Sequence, residues 1–272
     1  MRDQRVSGVP EAAVLSVEGI TVNFGGLSVL DAVSLSASSG EIVGLIGPNG
    51  AGKTTMFNVI CGFVRPAAGR IMWRGRELRR QHPHDLAALG ISRTLQGVGL
   101  FPHLTVLENV VVGLTPKARA GLFSSMLGLW GSSREERRLR ERAMESLERL
   151  SLAGYAARMP GTLPYPVQKR VGLARALVAD AALVLMDEPA SGLSASDITE
   201  LAELLGSLRG HMGVLIVEHD MDLVMATCDR IVVLDFGRVI ATGPPAEIRA
   251  NPAVTTAYLG EPLEREPGHA GG

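Results

Sequence analysis

Gly47-Pro48-Asn49-Gly50-Ala51-Gly52-Lys53-Thr54-Thr55 follows the apolar run Ile42-Val43-Gly44-Leu45-Ile46 and precedes Met56-Phe57-Asn58-Val59-Ile60. The first run has the length and apolarity of a buried strand, and the segment after the loop reads as a helix. A glycine, four residues and then Gly-Lys-Thr, set between a strand and a helix, is the phosphate-binding P-loop pattern. The glycines let successive backbone N–H groups turn inward on phosphate oxygens, and the helix N-terminus adds its positive dipole end. In that pattern Lys53 reaches the outer phosphates and the Thr54 hydroxyl ligates Mg²⁺. The stretch therefore predicts a binder of a nucleoside triphosphate with Mg²⁺.

The 272 residues suit one large domain, or one domain with a subdomain, and 46% apolar content is ample for a core. With 27 basic and 28 acidic residues the net charge is −1, which gives no electrostatic case for nucleic acid as a partner. Cys61 and Cys228 have no metal-ligand or redox spacing and read as small core residues in a reducing compartment. Met1 to Arg5 lacks a signal-peptide core, and no apolar run approaches the ~18 residues that cross a bilayer. Any membrane association is expected to run through a partner.

Residues 1–13 are expected to be a loose leader. Leu15 to Phe24 alternates like a half-buried strand, Gly25-Gly26 turns, and Val29 to Leu35 gives a second strand before the P-loop strand. Such close strands predict an antiparallel sheet ahead of the nucleotide core. Phe24 is placed either to stack on the adenine ring or to fill the core at a strand end. Beyond the P-loop helix come a hairpin at 69–78, a short helix at 85–89 and a strand over 91–96 that ends in Gln96. A helix at 105–114 opens with Thr105 and Glu108 in capping-box spacing. Residues 115–133 form an insert with an apolar face interrupted by glycine, read as a surface hairpin or a docking surface. A charged helix over 134–150 and a helix over 168–179 follow.

Leu183-Val184-Leu185-Met186 is a buried strand ending in Asp187 and Glu188. A carboxylate at the end of a central strand is costly unless paired, and a metal ion relieves that cost. Asp187 is thus the Mg²⁺ ligand, and Glu188 stands where it orients or deprotonates the attacking water. After a helix over 194–208, Val214 to Val217 is a second buried strand, ending at Glu218-His219-Asp220. His219 is expected beside Asp187, within reach of the γ-phosphate, and Gln96 is placed to bridge Mg²⁺ and water. The fold closes with a strand at 231–234, a hairpin through Gly237, and helices at 246–249 and 252–259. The Pro-, Gly- and Glu-rich tail, 261–272, is expected to be disordered.

Asp187 follows Lys53 by 134 residues, a longer interval than small P-loop kinases show. In this order the elements resemble the ATP-binding subunit of ABC transporters over about residues 14–260. That resemblance implies a P-loop NTPase three-layer α/β core, an antiparallel edge sheet and a helical subdomain across about 97–175. It also assigns the segment Leu163-Pro164-Tyr165-Pro166-Val167-Gln168 to the signature, which in the family is Leu-Ser-Gly-Gly-Gln and faces the partner ATPase's nucleotide across a dimer interface. Ser92 to Gln96, Leu104 to Asn109, Glu218 to Met225 and Ala257-Tyr258-Leu259-Gly260-Glu261 are similar to the importer ATPases of branched-chain, hydrophobic amino acids. Such subunits sit on the cytoplasmic face of the membrane, peripheral to permease subunits, and serve an extracytoplasmic solute-binding protein indirectly. Urea and lipopolysaccharide systems have similar ATPases. A soluble ABC ATPase of translation or repair is disfavoured, since the chain has no tandem second ATPase domain, coiled-coil arm or basic patch.

One residue departs from the group. Pro166 stands where its signature has glycine, and proline offers no N–H to a phosphate. One lost charge-assisted donor is worth roughly 1.5–3 kcal/mol. The departure predicts a heterodimer with an intact second ATPase, or else a subunit that binds nucleotide and hydrolyses it poorly.

Overall fold

The computed structural model describes residues 13–94, 97–114 and 133–259. Gln96, the leader through residue 12, the tail from 260 and the insert at 115–132 lie outside the described residues.

The first two strands, β1 (Ala13–Phe24) and β2 (Leu27–Ser38), pair antiparallel, with Val17 opposite Leu35 and Ile20 opposite Val33. With β4 (Ala68–Trp73) and β5 (Arg76–Glu77) they make a four-stranded antiparallel sheet in the order β2-β1-β4-β5. A second sheet holds the P-loop strand β3 (Ile42–Ile46), together with β6 (Ile91–Arg93), β7 (Leu183–Asp187), β8 (Gly213–Val217), β9 (Arg230–Asp235) and β10 (Arg238–Gly243). Its order is β10-β9-β3-β8-β7-β6, parallel except for the β9–β10 hairpin. β3 and β8 are buried at every residue, as strands covered on both faces must be.

The helix α1 (Lys53–Ile60) follows the P-loop. Its Met56, Phe57, Val59 and Ile60 join residues from both sheets in one apolar cluster, so the P-loop helix is gripped between the two sheets. On the other face of the parallel sheet, a second cluster draws on α5 (Tyr165–Leu177), α6 (Ala195–Leu208), α7 (Met221–Thr227) and α8 (Pro245–Ala250). In between in the chain come α2 (Leu86–Leu89), α3 (Val106–Val112) and α4 (Ser133–Arg149); α9 (Pro252–Leu259) ends the described chain. α3, α4 and α5 enclose a third cluster that includes Val106, Val110, Ala143, Leu147 and Val171. The valines and the leucine among them each contribute about 1.5–3 kcal/mol, which holds the helical layer together on its own core.

Both capping boxes read from the sequence form. Thr105 and Glu108 exchange bonds at the start of α3, as do Ser194 and Asp197 at the start of α6. Two expectations are corrected. β6, expected over 91–96, stops at Arg93, because the next ladder donor, the Asp187 N–H, goes to the Thr94 hydroxyl at 3.3 Å instead of a backbone carbonyl; residues 95 and 96 lie outside the described residues. α5 starts at Tyr165, not Gln168. Pro164 caps it in an extended conformation, and Pro166 takes the second helical position, where no intrahelical N–H bond is required.

The junction between the sheets is stitched by Arg230 on β9. Its guanidinium meets the Glu41 carboxylate at 2.7 and 3.1 Å and donates to the Ser36 carbonyl of β2 at 2.8 Å.

Candidate functional site

The parallel register fixes where the chemistry collects. β3, β8 and β7 are adjacent and point the same way, and Asp187 is level with Val217. The P-loop, Asp187-Glu188 and Glu218-His219 thus leave neighbouring strands at one edge of the sheet, the place where open α/β folds bind ligands.

The P-loop backbone needs its glycines. Gly47 has φ +150°, and a Cβ there would stand 2.1 Å from the Leu234 carbonyl oxygen; Gly52, at φ +100°, would press on Leu30 and the Val29 carbonyl. The loop is thereby drawn against β9 and β2. Lys53 is buried, and its ammonium donates to the carbonyls of Gly47 at 2.7 Å and Pro48 at 2.9 Å. Burial pushes it below the usual lysine range, and the Glu188 charge acts in the opposite direction. Asn49, Gly50 and Thr54 are exposed, while Ala51 is buried beneath them.

Burial raises the Asp187 carboxyl above its ordinary value, and the neighbouring charges of Glu188 and Glu218 add to the effect, against Arg93. Glu188 has φ +48°, a left-handed conformation that costs a non-glycine residue about 1 kcal/mol or more. The His219 Nδ1 lies 3.9 Å from a Glu188 carboxylate oxygen, and the imidazole is more than half exposed. The same nitrogen lies 3.5 Å from the buried Glu218 carboxylate, so the imidazole stands between the two acids at the rim of the site. Phe24 ends β1 with 51% of its surface exposed, which removes the reading of it as a core aromatic.

A cleft of about 610 Å³ runs beside Glu188, with Pro166 and Lys169 of α5 and Leu201 and Leu204 of α6 on its walls. The start of α5 and the loop that follows β7 face one cavity.

These residues fit a nucleotide with its cation. Gly47 and Gly52 leave no room for a side chain, and Lys53 points into the loop. Among the described residues no group of three or more His, Cys, Asp or Glu is arranged to hold a metal by itself. The Thr54 hydroxyl and the Asp187 carboxylate are hard oxygen donors that would suit a cation shared with phosphate oxygens.

The sequence pattern did not single out Glu218, which the structure places at the centre. Its carboxylate is fully buried and accepts from the N–H groups of Ala190 at 2.7 Å, His219 at 2.7 Å and Asp220 at 3.1 Å. One side chain thus holds both the loop after Glu188 and the loop bearing His219. The signal was available: an acid directly after four buried apolar residues of β8 must be bonded. Lys169 was likewise overlooked. Its ammonium donates to the carbonyls of Glu188 at 3.1 Å and Pro189 at 3.0 Å. Burial lowers its proton affinity, and the Glu218 and Glu188 charges act in the opposite direction.

Comparison with known proteins places this constellation. Residues 30–191 match the family model described as ABC transporter, and residues 238–264 match that described as branched-chain amino acid ATP-binding cassette transporter. The chain is 43% identical over 250 residues to the high-affinity branched-chain amino acid transport ATP-binding protein LivG of Salmonella typhimurium, covering 91% of this chain and 98% of that one. It is 41% identical over 254 residues to BraF of Pseudomonas aeruginosa, a protein of the same description, with 91% and 98% covered. Among solved structures, a nucleotide-free ATP-binding cassette from an ABC transporter superposes with a TM-score of 0.79 at 31% identity, covering 92% of this chain and all of that one. The ADP conformation of the cassette MJ1267 gives 0.77 at 31% identity, with 92% and 99% covered. A P-loop, a strand-end Asp-Glu pair and a strand-end histidine on adjacent parallel strands, with these relatives, make the chain a member of the ABC transporter ATP-binding family.

Proposed function

We propose that this chain is the ATP-hydrolysing subunit of an importer of branched-chain, hydrophobic amino acids. The observation that carries the solute class is the match of residues 238–264, joined to relatives that share 41–43% identity along nearly their whole length. Transport measures it. Cells whose own uptake of leucine, isoleucine and valine has been deleted should regain it with the operon that encodes this chain, and lose it again with Glu188→Gln. Uptake of urea alone would overturn the solute assignment.

In this reading the residues divide the work. The backbone of Gly47 to Thr55 and the Lys53 ammonium hold the phosphates, and Phe24 stacks on the base. Mg²⁺, held by Thr54 and Asp187 with Gln96, would neutralise charge on the phosphates as the terminal bond breaks. Glu188 orients the attacking water and accepts its proton, and His219 stands beside it to meet the γ-phosphate. Glu218 acts one step back, fixing both loops. The segment from Leu163 to Gln168 serves the partner ATPase's nucleotide.

Among the described residues no helix is long and apolar enough to cross a membrane. In this proposal the chain acts at the cytoplasmic face of the membrane, bound to permease subunits and coupled through them to an extracytoplasmic solute-binding protein. Pro166 favours a second, different ATPase as its partner. The intact Walker residues of this chain then complete one site with the partner's signature, and the proline confines the weakened site to the other. Size-exclusion chromatography of ATP-loaded Glu188→Gln chain tests this: a monomer alone and a dimer with the second ATPase is expected, and a stable homodimer would contradict it.

A further inference from the structure

We propose that Lys169 is a positioning residue for hydrolysis, through which the signature helix of this chain holds its own Glu188. The proposal rests on Glu188 as the catalytic carboxylate and adds a physical link between two parts of the machinery.

Lys169 lies on α5, one turn after Tyr165 and three residues after Pro166. Tyr165 and Lys169 are i and i+4, so both reach from one face of the helix. The ammonium stands 5.6 Å from the centre of the Tyr165 ring and donates to two consecutive carbonyls, those of Glu188 and Pro189. Both carbonyls belong to the loop that follows the catalytic strand. The Tyr165 ring covers that loop again at Gly192, where an added Cβ would meet the ring at 3.0 Å. The first turn of α5 therefore grips residues 188–192 at two places.

The loop needs such a grip. Glu188 holds its left-handed backbone only because its neighbours over-determine it. Its N–H donates to the Val217 carbonyl at 2.8 Å, and its own carbonyl accepts from both Lys169 and the Ser191 N–H at 3.2 Å. The Ala190 N–H is fixed by Glu218. Removing the ammonium leaves the Glu188 carbonyl with one long bond and the Pro189 carbonyl with none of those described. The backbone is then free to relax toward right-handed φ, which rotates the carboxylate away from the attacking water. Because the grip comes from α5, a shift of the signature helix on the partner's nucleotide is felt at Glu188 of the same chain. The charges of Glu218 and Glu188 offset part of the burial that lowers the proton affinity of this ammonium.

The test uses the complete transporter complex, isolated through a tag on this chain. Lys169→Met keeps the length and apolar stem and removes the charge and its donors. Two charge-assisted bonds support a loss in kcat of roughly ten- to hundredfold, with KM and the Kd for ATP changed by less than about twofold, since neither carbonyl belongs to the nucleotide cradle. Lys169→Arg, which keeps the charge and donors, should restore most of the rate. Amide hydrogen exchange over residues 188–193 should quicken in Lys169→Met, while the body of α5 stays as protected as before. Unchanged kcat in Lys169→Met, or an equal loss of kcat and ATP affinity that Arg does not rescue, overturns the proposal. Glu188→Gln run alongside separates the two failures. If it still turns over, the catalytic role of Glu188 is wrong; if it is inactive and Lys169→Met is normal, only the role of Lys169 falls.

Discussion

Glu218→Gln is a near-isosteric change, so it opens no cavity and isolates the electrostatics of one buried acid. The carboxylate is shielded from solvent and serves three backbone donors, one oxygen taking the Ala190 N–H and the other the N–H groups of His219 and Asp220. A glutamine keeps an oxygen for one side and turns an NH₂ group toward the other. With the oxygen on the His219 side, two bonds fall from charged to neutral acceptor, about 1 kcal/mol each, and the Ala190 N–H faces a second donor at about 1–3 kcal/mol. Relief of the buried charge offsets part of this. The net cost is about 1–3 kcal/mol, or about 2–12 °C in Tm for a chain of this size. Calorimetry reads the stability, and ATP turnover reads the site: the loops of Glu188 and His219 lose their common anchor, so kcat should fall at least tenfold while the Kd for ATP holds. A Glu218→Gln chain with native Tm and native kcat would refute the claim that this acid organises the site.

Pro166→Gly restores a backbone N–H at the start of α5. The added charge-assisted donor is worth about 1.5–3 kcal/mol, and glycine's extra freedom costs about 0.5–1 kcal/mol. ATP-dependent association of the Glu188→Gln chain with its partner ATPase should tighten at least severalfold by analytical ultracentrifugation. Lys53→Ala removes the charge assigned above to the phosphates, so the Kd for a fluorescent ATP analogue should rise roughly ten- to hundredfold, with the fold retained by circular dichroism. Arg230→Met breaks the bond to Glu41. Burial alone would raise the Glu41 carboxyl, but the Arg230 and Ser38 bonds outweigh it and hold it below its ordinary 4.5. A depressed carboxylate stabilises the fold above its unfolded value and loses that contribution as pH falls through the folded value. The variant should therefore be less stable than the parent by about 1–3 kcal/mol at pH 7, and the gap should narrow as pH drops below 4.5 in denaturant titrations.

Much of this was legible from short-range pattern. The strand-loop-helix around Lys53 carries its own register, and Leu183 to Met186 and Val214 to Val217 are apolar without a break, as strands buried on both faces are. Their order alone predicts that Asp187 and His219 end neighbouring strands. Pairing across long intervals was harder to see. Glu218 looks like any acid until the Ala190 N–H, 28 residues earlier in the chain, arrives at 2.7 Å. Lys169 looks like part of a solvated helix until the loop after Glu188 folds beneath it. Pro166 was read against a glycine pattern as a defect and a helix starting at Gln168. The folded chain uses Pro164 and Pro166 to begin the helix early, since a helical first turn tolerates proline.

In the proposed function the strand-end residues of this chain hydrolyse ATP. Phosphate release from ATP by the purified chain, assembled with its partner ATPase and permease subunits, measures it directly against Glu188→Gln and against chelation of Mg²⁺. Turnover in the parent, loss of at least a hundredfold in Glu188→Gln with ATP still bound, and loss on chelation are the predicted results. Turnover at the parental rate in Glu188→Gln, or turnover indifferent to Mg²⁺, would contradict the account.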